Sequence, residues 1–590
     1  MARTVAIGIQ DFENLIQNKY FYIDKTSFIS EWWESGDSVT LITRPRRFGK
    51  TLNMSMVERF FSVDFAGQGM LFHGLSIWED EKYRKIQGTY PVISLSFANV
   101  KEKDYASTRK KICQMLKELY TNHSFLFESP ALKEGDKEFF RRVSIDMDDV
   151  DAAMALHYLS KFLFLYYGKK VIILLDEYDT PMQEAYVNGF WDELVGFTRN
   201  MFNAAFKTNP WLERGIMTGI TRSSKESIFS DLNNLEVVTT TSDKYATSFG
   251  FVEEEVFEAL EECGLADKKE QVKKWYDGFI FGGHRDIYNP WSILNFLDKG
   301  KFTTYWAPED YHLQVAGSRQ MSASSHLAPC FRENTSSNSL VGTLLREGNR
   351  KIKEKFEVLL QGESIRTPID EQIVYNKLDG NERAVWSLLL TSGYLKVLSC
   401  ETYQDVPEGI QPKYELALTN LEVKLMFGNM IRDWFSEAEA DYNDFIKALL
   451  VGDIKAMNAY MNRVALGIFS YFDTGKNPSG VEPERFYHGF VLGLMVELQD
   501  RYYITSNRES GFGRYDVMLE PKNPKNNDAI LIEFKVHDPE DETTLKDTVK
   551  KAQQQIEEKH YAAALEAKGI PKECIRSYGF AFEGKKVLIG

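Results

Sequence analysis

At 590 residues the chain is too long for one core, and three or four domains are expected, each burying its own apolar interior. Its 43% hydrophobic and 27% charged residues are ordinary folded-protein usage and exclude a mainly disordered or fibrous chain. The formal charge of −15 argues against a surface coated with phosphate-binding lysines, although a local basic channel can act within an acidic whole.

The most apolar runs, Phe162 to Tyr167 and Val171 to Leu175, are separated by Gly168-Lys169-Lys170. A helix needs roughly 20 apolar residues to cross a bilayer, so no membrane association is expected, and Met-Ala-Arg-Thr opens no secretory signal. Five cysteines (Cys113, Cys263, Cys330, Cys400, Cys574) lie far apart with no CxxC pair. They read as reduced thiols of a cytoplasmic protein, with neither a disulfide frame nor a zinc site.

In chain order, the β-branched run Ser38 to Thr43 ends at Arg44-Pro45-Arg46-Arg47-Phe48-Gly49-Lys50-Thr51, and Leu52, Met56 and Phe60 then follow at helical spacing. Strand, loop and helix in that order are the context of a P-loop. The free N–H groups and positive dipole end of the helix face a phosphate, and Gly49 lets the backbone approach it. Lys50 is expected to reach the β- and γ-phosphates of ATP and Thr51 to ligate Mg²⁺; Arg46 and Arg47 are further nucleotide-binding candidates. The pattern departs from G-x-x-x-x-G-K-[ST], because Arg44 stands at its first glycine and Pro45 follows.

Val171 to Leu175, a continuous apolar strand ending in Asp176-Glu177, has the form of Walker B. Asp176 is expected to hold Mg²⁺ through water and Glu177 to orient or deprotonate the attacking water, with Asp179 nearby. Either motif alone fits an ordinary capped helix; the pair in this order favours a nucleotide site. Tyr90 to Phe97 and Arg214 to Ile220 supply further strands, and Thr108 to Tyr120 and Met154 to Tyr167 supply helices, giving a parallel α/β sheet. Thr218 and Thr221, at the end of the later strand, are candidate γ-phosphate sensors, and Arg222 a candidate charge stabiliser. Ser and Thr also favour strand ends for local hydrogen bonding.

From Val252 to Leu297 the pattern turns helical, with Tyr288-Asn289-Pro290-Trp291 restarting a helix at Ser292, as in a lid after a P-loop core. From Ala307 to Asn334 periodicity is lost, and a surface insertion is expected. Glu382 to Leu390 reads as a helix, Gly393 to Leu398 and Lys413 to Leu418 as strands, an order compatible with a winged helix. Amphipathic helices follow over Leu421 to Phe435 and Asp444 to Phe469, and Lys476-Asn477-Pro478-Ser479-Gly480 reads as a linker.

Near the end, Gly513 to Glu520 and Ala529 to Val536 read as an antiparallel hairpin. Symmetric pairing puts Asp516 opposite Glu533, and Lys535, two residues on, shares that face. Asp516, Glu533 and the carbonyl of Phe534 are hard oxygen ligands suited to Mg²⁺ or Mn²⁺, and Lys535 is placed to position a water or the scissile phosphate. Glu-x-Lys by itself occurs on many exposed strands; the upstream Asp516 gives it weight.

Tyr22-Ile23-Asp24-Lys25-Thr26, Arg44 to Thr51, Leu175 to Asp179, Thr218-Gly219-Ile220 with Ser227-Ile228-Phe229-Ser230, and Tyr276-Asp277-Gly278-Phe279 through Tyr288-Asn289-Pro290-Trp291-Ser292 together resemble the bacterial AAA-ATPase-like proteins that carry a C-terminal PD-(D/E)xK nuclease domain. The resemblance runs over nearly the whole chain. It implies that Arg44 is the expected residue at its position, that Gln555 in Ala552-Gln553-Gln554-Gln555-Ile556 backs up the nuclease site or contacts DNA, and that Glu484 stands at the first acidic position of the metal shell. The insertion at 307–334 departs from the family pattern. Leu545 to Leu565 reads as one helix, His488 as a core histidine, and Arg514 as a phosphate-binding candidate.

The expected architecture is an α/β multidomain chain: a P-loop AAA-like ATPase core over 1–250, a helical lid with the insertion over 251–345, a helical, winged-helix-like region over 346–475, and a restriction-endonuclease-like α/β domain over 481–590. The expected function is metal-dependent DNA phosphodiester hydrolysis gated by ATP binding or hydrolysis, with ATP and Mg²⁺ (or Mn²⁺) as cofactors. The alternative is a non-cleaving ATP-driven switch that binds nucleic acid or a protein partner. RNA as substrate and assembly into a homo-oligomer stay open.

Overall fold

The structure is a computed structural model that describes residues 3–221, 229, 232–306, 341, 344–345, 350–370, 378, 381–402, 404–407, 410–436, 443–468, 491, 495, 498, 501–510, 513–524, 527–539, 541–583 and 586–590. The chain folds as two compact units, one formed by Met1–Asn349 with Ile365–Val423, the other by Arg350–Ser364 with Lys424–Gly590. The insertion at 307–334 and the linker at 476–480 lie outside the described residues.

The first unit is built on a five-stranded parallel sheet of β1 (Val39–Thr43), β2 (Val92–Ser96), β3 (Val171–Asp176), β4 (Leu212–Gly219) and β5 (Leu235–Val238), in the order β2-β3-β4-β1-β5. Every residue of β1 and β3 is buried, as unbroken apolar runs require when helices cover both sheet faces. Trp32, Phe60, Phe61, Ile172 and Ile216 belong to one buried cluster on this sheet. Helices start where short polar side chains meet their first free N–H groups: Asp104, Asp148 and Asn289 each accept such a bond.

The lid is not wholly helical. Helices Glu253–Glu262, Lys269–Tyr276 and Pro290–Lys299 are joined by an antiparallel sheet of β6 (Phe251–Val252), β7 (Asp277–Phe281) and β8 (His284–Tyr288), in the order β6-β8-β7. Gly282, at φ +56°, lets the chain reverse between β7 and β8, a conformation that costs other residues roughly 1–2 kcal/mol. Beside the lid, helix Glu382–Thr391 precedes β10 (Leu395–Cys400) and β11 (Tyr414–Leu418), which pair antiparallel with each other, while β9 (Ile365–Thr367) pairs with β11. This module bears on the phosphate loop and lid: a Cβ on Gly393 would lie 2.8 Å from Pro45, and one on Gly278 would lie 2.1 Å from the Thr419 carbonyl.

The second unit holds a mixed sheet of β12 (Tyr502–Ser510), β13 (Gly513–Pro521), β14 (Ala529–Val536), β15 (Ile575–Glu583) and β16 (Lys586–Ile589), in that order, with only β14 and β15 parallel. Helix Ile454–Ile468 closes the β16 edge. Asn458 exchanges two hydrogen bonds with the backbone of Ile589 (2.8 Å each), and Asn462, one turn on, does the same with Val587. Two side-chain amides thus stand in for a neighbouring strand. The single helix expected over Leu545 to Leu565 instead ends at Glu558, and a short helix Ala563–Glu566 follows. His560, at φ +52°, turns the chain so that Tyr561 and Leu565 return to the core.

Glu422 is the most deeply buried acid where the lid meets the β9–β11 module, at 1% exposure. It accepts hydrogen bonds from Ser292 Oγ (2.7 Å) and the Trp306 N–H (2.8 Å). Burial pushes its carboxyl up to about 7, against the pull of those donors. Because the folded value lies above the ordinary one, this group's contribution is full at low pH and is lost as pH rises through about 7. Wild type is therefore expected to lose stability relative to Glu422→Gln between about pH 5 and 7, by at most about 1.4 kcal/mol per pH unit. Parallel melting-temperature profiles for the two proteins would contradict this.

Candidate functional sites

Each unit carries one convergence of chemistry. In the first it lies at the C-terminal ends of the parallel strands, where neighbouring loops meet. Thr43 pairs with Gly219, Leu175 with Met217, and Ser96 with Asp176. This register brings Asp176 beside Thr218, whose hydroxyl donates to Asp176 Oδ1. Thr51 Oγ1 donates to Asp176 Oδ2 at 2.8 Å, so the two expected Mg²⁺ ligands are already in contact. Burial raises the Asp176 carboxyl, and the bonds from Thr218 and Thr51 draw it back.

Gly49, at φ +80°, is the last residue before helix Lys50–Phe61. Lys50 is buried and donates to the carbonyls of Arg44 and Pro45, each at 3.0 Å. Burial lowers its ammonium, while Glu177, Asp176 and Asp179 oppose that shift. The lysine therefore sits folded into its own loop, among carbonyl acceptors. Glu177 adopts φ +50°; its N–H donates to Thr218 Oγ1 at 3.3 Å, and its carboxylate accepts from Thr180 Oγ1 at 3.1 Å.

Asp179 is a brace. Its Oδ2 accepts from the N–H groups of Ile220 and Thr221 and from Thr221 Oγ1, at 2.9–3.0 Å, tying the turn after β3 to the end of β4. The Thr221 hydroxyl thus bonds to Asp179, and the Thr218 hydroxyl to Asp176. Arg46 reaches Gln183 at 3.4 Å. Arg47, at φ +66°, donates to the Tyr305 carbonyl at 3.1 Å and lies 4.2 Å over Trp291, so the lid holds it. Arg222 lies outside the described residues.

Arg44 explains its own departure from glycine. Its guanidinium is fully buried and donates to the carbonyls of Thr43 (3.0 Å), Thr239 (2.6 Å), Lys244 (3.3 Å) and Tyr245 (3.4 Å), with the Phe281 ring 4.7 Å away. Burial brings its pKa down to about 9. One side chain thus ties the start of the phosphate loop to the segment after β5. The motif revealed an unusual loop, but three of these four acceptors lie 195 to 201 positions away and carry no local signal.

In the second unit the β13–β14 ladder runs to Val517, which pairs with Ile532; Asp516 and Glu533 are the next residue on each strand. The Phe534 N–H donates to Asp516 Oδ2 at 2.8 Å, the side chain taking the place of a ladder bond. Glu533 is 1% exposed, accepts from the Gln555 side-chain amide, and lies 3.6 Å from Lys535 Nζ. Asp516, Glu533, Lys535 and Gln555 therefore converge at the end of β14. Gln555 also donates to Tyr561 Oη at 3.1 Å. Burial raises that phenol.

Gly579 is a contributor that the motif pattern missed. It pairs with Glu533 across the parallel β14–β15 ladder, and a Cβ there would lie 2.8 Å from the Val549 carbonyl and 3.0 Å from Ala552. Its bare backbone lets helix Leu545–Glu558 descend far enough for Gln555 to reach Glu533. Glu484 and His488 lie outside the described residues, as does the side chain of Arg514. The oxygen-only set of Asp516, Glu533 and the Phe534 carbonyl suits a hard divalent cation that keeps part of its water shell. No group of three or more His, Cys, Asp or Glu side chains placed to hold a metal occurs among the described residues.

Two family models match the chain, one in each unit. Residues 6–229 match the family model described as predicted AAA-ATPase, and residues 482–590 match the PD-(D/E)XK nuclease superfamily. The chain thus joins an AAA-ATPase-like domain to a C-terminal PD-(D/E)XK domain, and with them ATPase and nuclease potential. It is similar along its length to a protein of Azotobacter chroococcum mcd 1 described as "Uncharacterized protein in vnfD 5'region", with 24% identity over 583 residues, covering 96% of this chain and 95% of the relative. Among the described residues no helix is long and apolar enough to cross a membrane.

Arg44→Gly, which restores the glycine of the common P-loop pattern, is expected to destabilise the protein by about 2–4 kcal/mol, because four carbonyls lose their buried donor. Urea unfolding checks this; a variant as stable as wild type would refute the clamp.

Proposed function

We propose that the chain is a metal-dependent DNA phosphodiesterase whose cutting is gated by nucleotide in the ATPase-like domain. The observation that carries the reading is the meeting of Asp516, Glu533, Lys535 and Gln555 at one strand end, in a domain of nuclease family. The proposed division is an ATPase core over 1–250, a lid over 251–345, a winged-helix-like region over 346–475 and the nuclease domain over 481–590.

In the ATPase site, Lys50 exchanges the carbonyls of its own loop for the β- and γ-phosphates of ATP, joined by the N–H groups around Gly49 and by Arg46 and Arg47. Thr51 and Asp176 hold Mg²⁺. Glu177 orients the attacking water, which requires it to leave Thr180, while Thr218 senses the γ-phosphate and Arg222 is the candidate charge stabiliser. In the nuclease site, Asp516, Glu533, the Phe534 carbonyl and Glu484 are the oxygen donors for Mg²⁺ or Mn²⁺. The cation, when bound, lowers the pKa of a water and offsets charge on the transferring phosphate. Lys535 orients that water or the scissile phosphate, and Gln555 fixes the Glu533 carboxylate.

The test incubates supercoiled, linear and single-stranded DNA with the full chain and Mg²⁺ or Mn²⁺, with and without ATP. Glu533→Ala is expected to lower cutting on the order of 100-fold or more, while Lys50→Ala cuts at a rate that ATP no longer changes. Cutting that survives Glu533→Ala would reject the site. Nucleotide and DNA binding without cutting by wild type would instead favour the binding-only switch.

A further inference from the structure

The segment Phe21–Thr26 contains the Tyr-Ile-Asp-Lys-Thr motif, which neither site uses. Its side chains alternate between two bodies. Phe21 and Ile23 pack in the apolar core of the lid with Phe251 and Val256, whereas Tyr22 packs on the core of the parallel-sheet domain, with its hydroxyl 3.5 Å from Met56 S of the phosphate-loop helix.

The polar residues continue the alternation. Asp24 faces the ATPase-like core, accepting from the Ser76 N–H (2.7 Å) and from Thr26; Thr26 in turn accepts from the Ile77 N–H at 3.2 Å. Lys25 faces the lid. Its side chain is 10% exposed, and its ammonium lies 2.6 and 2.7 Å from the two oxygens of Glu255 and 2.9 Å from the Thr247 carbonyl. Glu255 Oε2 also accepts the Val252 N–H at 2.8 Å, capping the first lid helix. Two donors and two acceptors thus meet around Thr247–Glu255, where the core passes into the lid, and Gly250 there adopts φ +95°.

The same lid presses on the phosphate loop from its other side, through Phe48 against Phe279 (4.7 Å between ring centres), Asn289 on the Arg46 carbonyl (3.4 Å) and Arg47 on the Tyr305 carbonyl. A lid fixed at one edge and touching the loop at the other transmits its angle to that loop.

We propose that Phe21–Thr26 is a two-faced seam that sets the lid against the phosphate loop, with Lys25, acting through Glu255, as a positioning residue for nucleotide binding. The inference rests on the ATP-binding reading above. Lys25 touches no part of the phosphate loop, so its effect runs through the lid. A half-buried pair with an added carbonyl acceptor is geometrically strict: removing either charge leaves the other desolvated.

The experiment uses the full chain in four forms: wild type, Lys25→Met, Lys25→Arg and Glu255→Gln. Hydrogen exchange is followed without nucleotide, and binding of a fluorescent ATP analogue is titrated with Mg²⁺. Lys25→Met is expected to raise exchange in residues 251–262 and 277–288 and to weaken binding about 10-fold, as for partners that orient a binding group from behind. Lys25→Arg retains most of the affinity. Glu255→Gln reproduces the loss from the lid side and carries the test if Lys25→Met does not fold. Unchanged lid exchange in Lys25→Met and Glu255→Gln overturns the seam, as does looser lid exchange with wild-type affinity. If wild type binds no nucleotide while Lys25→Met still loosens the lid, the ATP reading fails and the positioning role falls with it.

Discussion

Both sites depend on a carboxylate buried at the end of an apolar strand, and on strand register to bring its partners. Water cannot solvate such a group, so protein donors must meet it. Asp176 at the end of β3 takes hydroxyls from Thr51 and Thr218. Glu533 in β14 takes the Gln555 amide and lies beside Lys535. In each case a shift of one residue in the ladder would send the acid to the opposite face and leave its donors behind.

The same constraint explains what surrounds the sites. Asp179 keeps the end of β4 level with β3 through three donors. Arg44 holds the entry of the phosphate loop through four carbonyls, and Gly579 admits the helix that delivers Gln555. None of these side chains is placed to do chemistry, yet each fixes a backbone position that a chemical group needs. The loop is further bounded by the lid at Phe48 and Arg47 and by the β9–β11 module at Pro45.

Much of this was legible in the sequence. The apolar run Val171 to Leu175 ending in two acids reads as a buried parallel strand, and β3 is one. The hairpin symmetry expected to set Asp516 opposite Glu533 follows from counting residues to the connection; the ladder keeps that register as far as Val517–Ile532, one position before the two acids. Less was legible in the lid, where β7 and β8 are short, with Gly278 inside β7 and Gly282-Gly283 between the strands, so that helical spacing on either side dominates the pattern. The end of helix Leu545–Glu558 was also missed, because apolar spacing continues through Tyr561 and Leu565 although His560 turns the chain.

The sequence by itself determined the local grammar: which strands are buried, where a phosphate loop begins, which acids end strands, and which charges share a face. Those depend on periodicity and turn chemistry, which neighbouring residues carry. Only the tertiary structure decided what lies across from them. That Arg44 meets carbonyls of 239–245, that Lys25 meets Glu255, and that Gly579 makes room beside Glu533 are contacts between distant segments. The chain pattern does not encode them locally, because burial and hydrogen-bond satisfaction are settled only once the layers have packed.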